Sequence, residues 1–164
     1  MVYIVMGVSG CGKTTVGEAL AERLGLAFHD ADAYHPDANR RKMAAGTPLN
    51  DLDRRPWLET LADNIKLWNA DATGGAVLAC SALKQSYRNI LAKHAGVTFI
   101  YLAGTRDLLA SRLEERAGHF FPAALLDSQL ATLEPPRNAI EVSINQPINA
   151  QLEQIAKAIG ADHA

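Results

Sequence analysis

The residues Gly7-Val8-Ser9-Gly10-Cys11-Gly12-Lys13-Thr14 fit the spacing G-x-x-x-x-G-K-[ST]. Each residue type has a chemical use at its place. Glycines let the backbone adopt conformations closed to other residues and approach a bound group closely. The N–H groups of such a loop turn inward as an anion nest at the start of a helix, where the helix dipole also favours negative charge. Lys13 would bridge the outer phosphates of a nucleotide, and the Thr14 hydroxyl would ligate Mg²⁺. Val8, Ser9 and Cys11 fill the variable positions, with Cys11 read as a small filler, and Thr15 follows as a further nucleotide contact.

Other groups that could do chemistry lie downstream. Asp30 and Asp32 stand two residues apart just past an apolar run. Such a pair could divide the work: one carboxylate holds a Mg²⁺-bound water, and the other orients a substrate hydroxyl and accepts its proton. The alternative is that one or both cap the turn that follows. Between Tyr34 and Arg55, the basic residues His35, Arg40, Arg41, Lys42, Arg54 and Arg55 alternate with Asp37, Asn39, Asn50, Asp51 and Asp53. Singly these are surface charges. Together they point to a face for an anionic, hydroxyl-rich substrate, since the arginine fork matches a carboxylate. Lys84 and Arg88 share one helical face and are either part of that face or ordinary surface charge. Arg112 and Arg116 lie one turn apart, before Gly118, His119, Phe120, Phe121 and Pro122, a composition that fits a lid closing on bound nucleotide. An arginine there would offset charge that develops on the transferring phosphate.

These groups need a scaffold, and the apolar pattern supplies one. Val2–Val8 is a continuous apolar run, as for a strand buried on both faces. Leu26–His29, Ala76–Cys80, Val97–Leu102 and Ile140–Ile144 are the other predicted strands. Helices are predicted over Thr14–Leu24 (closed by Gly25), Pro36–Ala45, Pro56–Asn69, Lys84–Ala95, Arg106–Arg116, Pro122–Leu133 and Asn149–Ile159. Strands alternating with helices imply βαβ crossovers. The expected fold is α/β: a doubly wound parallel sheet in a three-layer P-loop NTPase sandwich, with helices on both faces and a small lid. The tryptophans Trp57 and Trp68 are expected in the core.

The 164 residues suit one domain over 1–164, with a substrate-binding segment near 34–56 and a lid near 116–134. Sixteen basic and eighteen acidic residues leave a net charge of −2, so no nucleic-acid partner is expected. No apolar stretch approaches the ~20 residues needed to cross a bilayer, so no membrane partner is expected either. The start of the chain lacks the basic region of an export signal, and the only cysteines, Cys11 and Cys80, are expected as free thiols in the cytoplasm. A guanine-reading N/T-K-x-D segment is missing, and no acid ends the third predicted strand. Both absences weigh against a switch GTPase or a motor ATPase.

The sequence resembles the gluconate kinases of the small P-loop type. The resemblance is carried by Gly7–Thr14, Asp30–Pro36, Lys42–Asp51, Asp53–Leu58, Cys80–Arg88, Phe99–Leu102 and Gly118–Phe121. The first stretch marks only the superfamily, whereas Pro48-Leu49-Asn50-Asp51, Cys80-Ser81-Ala82-Leu83-Lys84 and Gly118-His119-Phe120-Phe121 are far more specific. The resemblance implies transfer of a phosphoryl group from ATP, with Mg²⁺, to the 6-hydroxyl of D-gluconate, by a cytoplasmic homodimer. By similarity to related kinases such as shikimate kinase, Asp32 would hold the reacting hydroxyl, with Lys13 and Arg116 as its catalytic companions. His35, Lys42, Asp51, Arg54, Lys84, Arg88 and His119 would bind substrate, Arg112 and Arg116 the nucleotide, and Thr14 and Asp30 the metal. The family pattern leads us to expect an acid near Asn145, which this sequence lacks, so no adenine contact is assigned there. Other acceptors, such as shikimate or a nucleoside monophosphate, and a non-catalytic nucleotide-dependent switch, are the competing readings.

Overall fold

The computed structural model describes residues 1–117 and 123–163, with side chains described up to 115 and from 123 to 160. Five strands, β1 (Val2–Met6), β2 (Phe28–Asp30), β3 (Ala76–Ala79), β4 (Val97–Ala103) and β5 (Ile140–Ser143), form one sheet in the order β2-β3-β1-β4-β5. Every pairing is parallel, with Val2 opposite Ala76 on one side and Val97 on the other. Parallel strands need crossovers, and the helices that make them cover both faces.

The strand period of two sorts the core into two layers. Val2, Ile4 and Met6 of β1 pack with Leu78 of β3 against α3 (Asp51–Ala70) and α4 (Gln85–Leu91), through Leu58, Leu61, Ile65 and Leu91. Tyr3 and Val5 turn the other way. They join Val77, Ile100 and Val142 against α1 (Lys13–Leu24), α5 (Arg106–Ala117), α6 (Ala123–Thr132) and α7 (Ile148–His163). With both faces covered, β1 is buried along its whole length. Among the described residues, no helix is long and apolar enough to cross a membrane.

Most elements stand where the sequence places them, with α1 ending at Gly25. Two differ. The helix expected from Pro56 begins five residues earlier, at Asp51, because Asn50 and Asp53 form a reciprocal capping box one turn before the proline. Pro56 removes one N–H from the helix interior, yet Leu52, whose carbonyl would have accepted it, is 80% exposed and open to water. The helix expected over Lys84–Ala95 is only α4, after which the chain turns through Ala95 (φ 63) and Gly96 (φ 71) into β4. A short 3-10 turn, Ala31–Tyr34, and α2 (Asp37–Ala44) link β2 to α3.

Candidate active site

In a doubly wound sheet, the carboxyl ends of the strands line the ligand crevice. Here the loop after β1 runs from Gly7 to α1, and Gly12 is the residue before that helix, at φ 92 and ψ 27. Glycine takes this positive φ at no steric cost as the loop turns into α1, whereas a side chain there would be strained. Gly10 (φ 87) lies against α5: a Cβ would stand 2.8 Å from Leu113 Cγ and 3.1 Å from the Leu109 carbonyl. Lys13 Nζ donates to the carbonyls of Gly7 (3.0 Å) and Val8 (3.3 Å), which folds the ammonium over the loop. Cys11 is buried beneath the loop, and burial pushes its thiol above the ordinary range, as suits a filler. Cys80 is likewise buried and pushed up to about 12.

A cleft of about 770 Å³ opens beside this loop. Ser9, Gly10, Gly12, Lys13 and Thr14 line it, together with Asp30, Asp32 and His35 and the more distant Arg54, Lys84 and Tyr87. Asp30 caps the 3-10 turn, its Oδ1 accepting the Asp32 N–H at 2.9 Å. Capping and a cleft position are thus combined in one residue. The Asp32 carboxylate is exposed and has no hydrogen bond or ion pair among the described residues. His35 is 8% exposed and stacks on Trp57 with ring centroids 4.2 Å apart. Asn39 Nδ2 lies 3.2 Å from His35 Nδ1. Burial holds the imidazole below its ordinary range, only partly offset by Asp32, which favours the neutral ring near pH 7. Trp57, predicted as core, is 5% exposed and donates its Nε1–H to the Ala31 carbonyl at 2.8 Å, but it also borders the cleft. Trp68 stacks on His29 at 4.1 Å.

The predicted substrate face divides. Arg54, Lys84 and His35 reach the cleft. Lys42 does not line it and pairs with Asp53 at 2.9 Å. Asp51 does not line it either, but accepts from the Tyr87 hydroxyl at 2.5 Å and from Lys84 Nζ at 3.1 Å. Arg88 is 3% exposed and lies outside the cleft lining. Its guanidinium donates to the carbonyls of Ala82 (2.7 Å) and Glu134 (2.6 Å), which fixes the loop that presents Lys84. The surface-charge reading of Arg88 gives way to this packing. The Arg116 side chain and His119 lie outside the described residues.

Sequence reasoning gave no role to two residues at the site. Tyr87 is one. Gln129 of α6 is the other: its Oε1 accepts the Ser9 N–H at 2.7 Å and its Nε2 donates to Ser9 Oγ at 2.9 Å. Tyr87 lies within the Cys80–Arg88 stretch without a role of its own there, and Gln129 lies in none of the stretches that carry the resemblance. Only the crossing of α6 over the loop makes Gln129 visible.

A second pocket, of about 210 Å³, lies on the α1–α7 side of the loop, lined by Gly10, Cys11, Gly12, Thr15, Val16, Arg112, Ile148 and Gln151. Arg112 is held there by a 2.7 Å bond to the Ile144 carbonyl.

An anion nest between a small, mostly apolar pocket and a cleft bearing a free carboxylate defines a P-loop phosphotransferase fold and site. The shikimate kinase family matches residues 9–140. A gluconokinase from Gluconobacter oxydans is 47% identical over 163 residues, covering 97% of this chain and 91% of its own length. The thermosensitive gluconokinase of Escherichia coli is 42% identical, with 96% and 86% covered. The crystal structure of a gluconokinase from Sinorhizobium meliloti aligns with a TM-score of 0.87 at 41% identity, covering 98% of this chain and 91% of that one. The chain belongs to the shikimate kinase family and, within it, to the gluconokinases.

Proposed function

We propose that this chain transfers the γ-phosphoryl group of ATP to the 6-hydroxyl of D-gluconate, giving 6-phospho-D-gluconate and ADP. The observation that carries this reading is that one cleft holds the phosphate loop, the free Asp32 carboxylate and the cationic Arg54 and Lys84. A phosphate donor and a carboxylate-bearing polyol can meet there. The base of ATP goes to the pocket beside Arg112 and Thr15, and the phosphates cross the loop N–H groups toward Lys13. Asp32 orients the 6-hydroxyl and accepts its proton as the oxygen bonds to the γ-phosphorus and the bond to the β-phosphate oxygen breaks. Lys13 and, from the 116–134 lid, Arg116 offset the charge that spreads over the phosphoryl oxygens. His35 and His119 complete the acceptor pocket.

Mg²⁺ fits the donors present. Thr14 offers an exposed hydroxyl with no other hydrogen bond among the described residues, and Asp30 borders the same cleft. A hydroxyl and a carboxylate are the hard oxygen donors that Mg²⁺ takes when it arrives on phosphates and keeps most of its waters. Thr14 would bind it directly and Asp30 through water, and the ion would supply neutralisation of phosphate charge. The family resemblance adds a cytoplasmic location and a homodimer, the latter measurable by size-exclusion chromatography with light scattering.

The test is ADP release measured across D-gluconate, shikimate, other sugar acids and nucleoside monophosphates. Turnover is expected with gluconate above all others. Absence of gluconate-dependent turnover ends the reading.

A further inference from the structure

Asp51 is the first residue of α3, but the helix does not use its carboxylate, because Asn50 and Asp53 already close the capping box. The side chain is 63% exposed and reaches instead to the cleft wall. There it accepts from Tyr87 Oη at 2.5 Å and receives Lys84 Nζ at 3.1 Å from each oxygen, with Arg54 NH1 3.7 Å away. Arg54 also donates to Tyr87 Oη at 3.3 Å. The cations flank the Tyr87 ring, at 5.5 Å for Lys84 and 5.8 Å for Arg54. Two positive charges gathered this closely around one ring repel each other unless an anion sits among them, and the phenol O–H needs an acceptor of its own. Arg54, Lys84 and Tyr87 all line the cleft, while Asp51 does not. The donors therefore face the cleft, and the anion that satisfies them comes from outside it.

We propose that Arg54, Lys84 and Tyr87 form the carboxylate-reading group of the acceptor site, and that Asp51 is a built-in stand-in for the substrate carboxylate, displaced when the sugar acid binds. The inference deepens the gluconokinase reading and rests on it. Displacement is easy because Asp51 is exposed and returns to water without leaving a buried group unpaired. It also gives selectivity. A neutral polyol cannot replace Asp51 and meets donors that are already occupied, whereas a carboxylate exchanges one ion pair for another.

The experiment compares wild type with Asp51→Asn, Lys84→Met and Tyr87→Phe, using steady-state kinetics at saturating ATP with D-gluconate and with the uncharged polyol glucitol. Removing an exposed competing carboxylate raises kcat/KM for gluconate by about three- to tenfold in Asp51→Asn. Lys84→Met and Tyr87→Phe lower it by about tenfold or more, and both narrow the ratio of gluconate to glucitol activity. Asp51→Ser, which is shorter and neutral, gives the same gain as Asp51→Asn. A fall or no change in kcat/KM for gluconate in both Asp51 variants overturns the inference, as does an equal gain for gluconate and glucitol, which would make Asp51 a steric obstacle only. Wild type that turns over no gluconate removes the underlying reading and this inference with it, a result distinct from an active wild type whose Asp51 variants gain nothing.

Discussion

Replacing Asp32 by asparagine separates chemistry from nucleotide binding. The Asp32 side chain makes no hydrogen bond among the described residues, and its backbone N–H donates to Asp30 Oδ1 at 2.9 Å, which asparagine keeps. The carboxylate itself is exposed and unpaired, so the fold loses nothing by its removal, and stability stays within about 0.5 kcal/mol of wild type. The phosphate loop touches other atoms, so ATP binding is unchanged. What is lost is a general base held beside the acceptor, a contribution of about 10²- to 10⁴-fold in kcat, or about 3–5 kcal/mol of barrier. A coupled ADP-release assay reads kcat, equilibrium titration with ATP reads the nucleotide site, and a thermal melt reads the fold. A kcat equal to wild type refutes the base assignment. A loss of ATP affinity as large as the loss of kcat refutes the division of the cleft into donor and acceptor sides.

Arg88→Met leaves two backbone carbonyls without their donor and is expected to cost about 2–4 kcal/mol in denaturant unfolding, with a fall in kcat/KM for gluconate and no change in ATP affinity; unchanged stability with a raised gluconate KM would return Arg88 to direct substrate contact. Gly10→Ala combines a strained positive φ with a Cβ 2.8 Å from Leu113, and a destabilisation of about 2–5 kcal/mol with weakened ATP binding is expected by denaturation and titration, against a wild-type-like curve if the loop can shift. Burial holds both His29 and His35 below the ordinary histidine value near 6.5, so the unfolded chain binds more protons than the folded one just below that pH. Stability is therefore full above about pH 6.5 and is lost as pH falls through the window beneath it; melting temperatures should drop there, and less so in His35→Asn, while a flat profile would contradict the sign.

The donor half of the site was legible because its chemistry is local. A strand, a glycine loop and a helix follow one another in the chain, and Gly7–Thr14 carries its own geometry. The paired acids were legible for the same reason, since a strand end and a turn are neighbours in sequence. The acceptor half was only partly legible. Interleaved acids and bases between 34 and 55 announce a charged face, but not that Lys42 is committed to Asp53 while Lys84, thirty-three residues beyond Asp51, returns to meet it. Arg88 has the spacing of a surface charge, and its burial comes with the segment at Glu134, distant in sequence, packing against it. The early start of α3 did have a signal, Asn50 and Asp53 three apart, which the proline at 56 masked. Tyr87 and Gln129 could be found only once packing had brought distant helices together.

The C-terminal part of α6 and the residues just past it touch two different loops of the cleft. Gln129 grips the first hydroxyl residue of the phosphate loop, and just past the helix Glu134 donates its N–H to Leu83 at 2.8 Å and accepts the Gln85 N–H at 2.6 Å. The two anchors are five residues apart in sequence, so one short stretch of chain joins the phosphate loop to the loop that carries Lys84. A phosphate that takes the Ser9 N–H would compete directly with the Gln129 side chain for it. The two sides of the cleft thus share a neighbour that no spacing along the chain announces.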